Sequence, residues 1–212
     1  MDLSIRRETQ SDYREVEELN REAFWNLYFP GCNEHYLAHV MRSHPDFIPE
    51  LDFVAESDGR IVGSIMYTRA WLVGEDGAER EIVSFGPLCV LPSHQRRGIG
   101  SALVRHTADI ARGRGAGMIV IFGDPHNYCR LGFKSGRDYG ISNQDGDCPH
   151  GMLALDLGGN VPPAGRRVFR YSDVYNIDED AAQAFDSGFP PKEKGYSHTQ
   201  EIFSIAIRSI VK

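Results

Sequence analysis

The sequence contains no apolar run approaching the roughly 18 residues that a membrane-spanning helix requires. Its first ten residues, MDLSIRRETQ, pass from Met into mixed charge without the apolar stretch of a signal peptide. Both absences predict a cytoplasmic protein with no membrane partner. Cysteine is scarce: Cys32, Cys89, Cys129 and Cys148 stand far apart with no C-x-x-C pair, so neither a disulfide scaffold nor a zinc ribbon is expected. Positive charge is in deficit, with 23 Lys and Arg against 30 Asp and Glu, a net charge of −7 that repels a nucleic-acid backbone. No nucleic-acid partner is expected. The 22 glycines and 11 prolines among 212 residues fall well below the roughly one quarter that marks disordered or fibrous chains. What is present is an ordinary globular composition, 41% hydrophobic and 25% charged, in a chain long enough to bury one core.

Periodicity orders the elements. Leu3 to Arg6 reads as a first strand, and Thr9-Gln-Ser-Asp12 matches a helix-start signature. Tyr13, Val16, Leu19, Ala23 and Phe24 then recur at helical spacing. A second short helix is expected over about 34–42. Residues 52–56 and 60–67 alternate as strands around an Asp58-Gly59 turn, and a third strand over 81–90 is interrupted at Gly86-Pro87, where proline offers no N–H to a ladder. A helix over 101–112, an apolar strand over 118–122, strands at 152–157 and 167–174, and a mixed tail follow. In that tail only residues 201–210 are apolar enough to dock. The fold class expected is α/β, in the α+β mixed-sheet sense. Residues 1–157 form the expected domain, and 158–212 a C-terminal extension packed on it.

The most informative stretch joins the strand ending at Val90 to the helix after it, through Gln95-Arg96-Arg97-Gly98-Ile99-Gly100. Helix N-termini present unpaired N–H groups and the positive end of the dipole, so such a turn suits a phosphate or pyrophosphate. Glycines at 98 and 100 let the backbone approach a ligand without an intervening Cβ. A Walker loop and the dinucleotide fingerprint G-x-G-x-x-G are both absent.

This turn resembles the Q/R-x-x-G-x-G/A signature of the GNAT superfamily of acetyl-coenzyme A dependent N-acetyltransferases. Asn127-Tyr128-Cys129-Arg130-Leu131-Gly132-Phe133 is similar to that family's late motif, and the start around Ile5 to Asp12 is also similar. Phe85-Gly-Pro-Leu-Cys-Val90 and Gly123-Asp-Pro125 look like a bacterial branch of broadly described predicted acetyltransferases. The resemblance spans roughly residues 3–157. It implies a central, mostly antiparallel, splayed sheet flanked by helices, with acetyl-coenzyme A as co-substrate, an amine as acceptor and no metal. Self-association as a homodimer is left open.

By that resemblance the pantetheine arm would pair with Leu88, Cys89 and Val90 where Gly86-Pro87 frees the strand. The pyrophosphate would lie on the amides of residues 97–102, with Gln95, Arg96, Arg97, Gly98, Ile99, Gly100, Ser101 and Ala102 as the cofactor-binding set. Arg96 or Arg97 would add charge-assisted bonds. Tyr128 would be the general acid for the departing thiolate, and the Val90 N–H would polarise the thioester oxygen. Many relatives carry a glutamate on the splayed strand. Here Ser84, Phe85, Gly86 and Pro87 occupy its centre, so the base is unassigned between Glu22 and a water chain on Ser84. A non-catalytic acetyl-coenzyme A sensor therefore stays open as the alternative. His35 and His39, at i and i+4 with His44 nearby, lack the H-E-x-x-H pattern and fit a pocket rim better than a metal site. Trp25, Tyr28 and Phe29 are read either as acceptor pocket or as core.

Overall fold

The computed structural model describes residues 3–158 and 165–211. Most of the loop expected over 158–165 lies outside them. The chain opens with strand β1 (Leu3–Arg7) and helix α1 (Tyr13–Phe24). The Asp12 carboxylate before α1 accepts the Thr9 N–H at 2.8 Å and the Arg6 guanidinium at 2.7 Å, which holds that carboxyl well below its ordinary range. After α2 (Glu34–Met41) come β2 (Phe53–Ser57) and β3 (Arg60–Gly74), joined at Asp58 and Gly59, whose φ values of 51° and 75° are those of the expected hairpin turn. β4 (Glu79–Val90), α3 (Ile99–Gly113) and β5 (Met118–Phe122) form the late βαβ unit. α4 (Pro125–Tyr128), β6 (Lys134–Ser135), β7 (Ile141–Ser142), β8 (Met152–Asp156), β9 (Arg167–Arg170), α5 (Glu179–Asp186) and α6 (His198–Arg208) complete the order.

Among the described residues the strands form one nine-stranded sheet, ordered β1-β2-β3-β4-β5-β8-β6, with β9 pairing both β3 and β7. All its pairs are antiparallel except β4–β5 and β7–β9. Side chains alternate across the sheet. Phe53, Ala55, Ile65 and Phe85 face α3, which buries Ile99, Leu103, Val104 and Ala108 against them. Val54, Ile61 and Cys89 face α1 through Val16, Leu19 and Phe24. Fully burying a side chain of this size contributes about 1.5–3 kcal/mol, so the two helices clamp the sheet from opposite faces.

Three expectations are corrected. β3 runs on to Gly74 rather than stopping near Tyr67, because its second half gains β9 as a partner, Leu72 opposite Phe169. β9 stops at Arg170, and Asp173–Tyr175 forms a 3-10 turn in place of the continued strand. The tail docks through α5 as well as through 201–210, where Ile210 bridges Pro149 and the Ser209 carbonyl accepts the His150 N–H at 2.8 Å. Ala182 and Phe189 are buried and Asp186 pairs with Arg21 at 2.6 Å. α6 leaves Ile202, Ile205 and Ile207 more than half exposed, and meets the body through Phe203 on Tyr28, with ring centroids 4.4 Å apart, and through the Thr199 hydroxyl, which donates to the Leu27 carbonyl at 2.8 Å.

Candidate active site

β4 and β5 pair only at Val83 opposite Ile119; beyond that point no β4 residue through Val90 has a described ladder partner on β5. On its other edge β4 stays paired with β3, Leu88 opposite Ile65, Cys89 opposite Ser64 and Val90 opposite Gly63. Opposite pairs in an antiparallel ladder alternate between hydrogen-bonded and non-bonded. The Leu91 N–H to Val62 O bond of 2.9 Å sets the phase. Cys89 therefore bonds β3, while the N–H and C=O of Leu88 and Val90 point away from it into the notch between β4 and β5. The Val90 carbonyl accepts the Gln95 side-chain amide there at 3.1 Å. Cys89 departs from expectation: its backbone serves β3, and its thiol is buried against α1 at 3.2 Å from the Ser64 hydroxyl.

The glycine turn meets the same notch. Gly98 caps α3 at φ 85°, in the left-handed region that glycine occupies without strain, and the half-buried Gly100 would place a Cβ 3.6 Å from Val90 Cγ2. Arg96 and Arg97 are exposed beside it. The Ala102 N–H is already bonded to the Gly98 carbonyl at 2.9 Å, so the expectation that its amide would hold phosphate is corrected. The first four N–H groups of a helix are the ones without internal partners, here those of Gly98, Ile99, Gly100 and Ser101. Ile99 itself is a core side chain.

Tyr128 closes the notch from the β5 side. Asp124 caps α4 by accepting the His126 N–H at 2.9 Å, and the chain then presents Tyr128 half-buried against Phe85 and Phe133, with ring centroids at 5.8 and 5.6 Å. Burial, with Tyr28 and Asp124 nearby, raises its pKa, so the phenol is neutral at pH 7. Tyr28 is itself pushed up to about 12 by burial and by the carboxylates of Glu34 and Asp124.

From the sequence, Glu34 is only the start of a helix. Its side chain is packed at the N-terminus of α2, where its carboxylate accepts the Asn33 N–H at 3.1 Å, and burial raises its pKa to about 7. Its charge also acts on Tyr28 and on the Cys89 thiol. The one sequence signal was an acidic residue four positions after the Pro30-Gly31 break. Glu22, by contrast, is a surface group paired with Lys192 at 2.9 Å. Ser84 is buried beside the Tyr175 hydroxyl.

The remaining candidates serve the tail. His35 is fully buried, 3.1 Å from the Asp186 carboxylate, and burial holds its pKa near 4 and the ring neutral. His39 meets Glu17 at 3.0 Å. The Trp25 indole donates to the Glu193 carbonyl at 2.8 Å, so it is covered by the tail rather than lining a pocket. Among the described residues, His44, Asp46 and Asp173 bring three potential metal-ligating atoms within 4.8 Å of one another, and His44 already pairs with Asp173 at 2.9 Å.

This geometry can be set beside known proteins. A crystal structure of a GNAT family acetyltransferase from Brucella melitensis in complex with acetyl-CoA is 27% identical, with a TM-score of 0.65, and the match covers 82% of this chain and 98% of that one. The E. coli GNAT family N-acetyltransferase YhbS, in complex with CoA, shares the fold at a TM-score of 0.71 and 22% identity, over 82% of this chain and 92% of its own. An uncharacterized N-acetyltransferase of E. coli K12, YjhQ, is 34% identical over 87 residues, 41% of this chain; the matched stretch spans about half of that relative, 47% of its length. The model of the acetyltransferase (GNAT) family matches residues 16–133, which hold the glycine turn, the open edge of β4 and Tyr128, and the chain belongs to that family.

Proposed function

We propose that the protein transfers the acetyl group of acetyl-coenzyme A directly to a primary amine. The observation that carries this reading is the convergence, on one unpaired stretch of β4, of the free N–H groups of the α3 N-terminus and the Tyr128 phenol. The Brucella melitensis relative, which holds acetyl-CoA, supports the co-substrate. The pyrophosphate lies on the amides of residues 98–101 beside Arg96 and Arg97, the pantetheine amides bond the outward groups of Leu88, and Val90, whose carbonyl holds Gln95, keeps its N–H for the thioester.

Glu34 takes a proton from the incoming ammonium, since a carboxyl titrating near neutrality is well matched to that step. The amine nitrogen then attacks the thioester carbon while the Val90 N–H stabilises the oxyanion. As the carbon–sulfur bond breaks, the Tyr128 phenol protonates the sulfur, and the second proton lost from nitrogen restores the phenol. Glu34 supplies the base that β4 lacks, which favours an enzyme over a sensor. The test is incubation with acetyl-coenzyme A and a panel of primary amines, reading thiol release and acetylated product by mass spectrometry. Tight acetyl-coenzyme A binding without turnover on any amine would favour the sensor instead.

A further inference from the structure

A cavity of about 470 Å³ opens on the sheet face opposite α3, at the place where β4 leaves β5. Its floor is Ser84, Phe85 and Gly86 of β4, and the Phe85 ring is the one that also packs on Tyr128. Its walls are four aromatic rings, Phe122 at the end of β5 and Phe169, Tyr171 and Tyr175 of the C-terminal extension, together with the polar Asn143 and Gln144. The rings form a connected set, with Phe122 5.8 Å from Phe169 and 6.3 Å from Tyr171, and Tyr171 6.1 Å from Tyr175. Phe122 and Tyr171 are 52% and 41% exposed, so two large rings stand part open among the described residues. The Tyr175 hydroxyl donates to the Gly86 carbonyl at 3.1 Å, which ties the extension to the point where the strand opens, and burial pushes its pKa up to about 12.

The lining has one sign of charge. Asp145, in the loop at the mouth, is its only ionisable carboxylate, and no Lys, Arg or His contributes among the described lining residues. Arg170, between two wall residues in sequence, alternates to the other side of its strand, where it stacks 4.3 Å over Trp71 and pairs with Glu79 at 2.6 Å. Aromatic faces attract cations and an acidic residue adds to that, whereas a ligand carboxylate would meet neutral donors such as Asn143 and Gln144 but no cation, with Asp145 repelling it. The volume is that of a small-molecule site.

We infer that this cavity receives the acceptor, and that the acceptor is a compact organic ammonium ion with an apolar body and no anionic group. The inference rests on the proposed acetyl transfer for its role but not for its binding chemistry. It is tested on the intact chain without acetyl-coenzyme A, by calorimetry and ligand-detected NMR with benzylamine, benzyl alcohol and phenylglycine. Benzylamine is expected to bind at least roughly tenfold more tightly than either the uncharged alcohol or the zwitterion. Tyr171→Ala and Asp145→Asn should each weaken benzylamine severalfold while leaving acetyl-coenzyme A affinity unchanged. Phenylglycine binding as well as benzylamine, or no saturable benzylamine binding up to about 10 mM, would overturn the inference. Benzylamine binding with no affinity for acetyl-coenzyme A would instead overturn the proposed function and leave this assignment of the cavity standing.

Discussion

A Cβ on Gly123 would collide with the Tyr128 ring, coming within 2.9 Å of Cδ2 and closer still to Cε2, so the phenol is held where it is because residue 123 has no side chain. The same ring is braced by Phe85 and Phe133. Its hydroxyl can be removed with little change in packing. Tyr128→Phe should therefore fold normally and bind acetyl-coenzyme A as before, yet transfer acetyl about 10²–10⁴-fold more slowly in single-turnover assays, the usual general-acid contribution. A rate within about threefold of wild type would remove Tyr128 from the chemistry.

The two glycines of the α3 turn should respond differently. At φ 85°, Gly98→Val strains the backbone whatever the ligand does. Gly100→Val adds bulk beside Val90 at ordinary contact distance and otherwise toward the open side. Calorimetry on Gly100→Val should show acetyl-coenzyme A affinity falling by at least roughly tenfold, about 1.4 kcal/mol, with the melting temperature nearly unchanged.

Acetyl transfer should depend on pH through Glu34. Burial raises this carboxyl to about 7, so its basic form is depleted below neutrality and complete above it. kcat/KM should rise with pH to a plateau above about 8, falling roughly tenfold per unit well below 7. Glu34→Gln should lower the plateau and flatten this limb. A Gln variant that keeps the wild-type profile would assign the limb to another group.

The tail should be a stability element. Arg21 is 6% exposed at its side chain, and Asp186 is the described partner of both its guanidinium and the buried His35. Asp186→Ala leaves that guanidinium in the interior without its carboxylate, so unfolding in urea should show a loss of about 3 kcal/mol. The segment after Val174 should also become more sensitive to protease.

Much of this was legible from local pattern. The Asp58-Gly59 hairpin and the α3 turn are written in short-range chemistry and appear where periodicity and backbone constraint put them, whereas at Gly86-Pro87 β4 runs on unbroken to Val90 with only a register shift against β3, having left β5 already after Val83. The failures share a cause in long-range contact. β3 extends to Gly74 because β9, about a hundred residues on, pairs with it. The α5 segment docks through Ala182, Asp186 and the following Phe189, too few apolar positions to stand out in the sequence, whereas the isoleucines of α6, which look like a core stripe, lie outside. Glu34 reads as an ordinary polar helix start until the fold surrounds it, because burial is not a local property. For Ala102 the reason is geometric: the fourth residue into the helix already spends its N–H on the cap.

The alternation of backbone direction along the end of β4 should be visible in amide exchange with heavy water. The Cys89 amide, turned into the ladder with β3, should exchange slowly, at a rate set by wider opening of the sheet. Those of Leu88 and Val90, which face the notch, should exchange quickly although they flank it on one strand. A bound pantetheine arm would slow only those two, so the ligand would turn a protection pattern of period two into a continuous one, and isotope uptake alone would report which edge of the sheet it had filled.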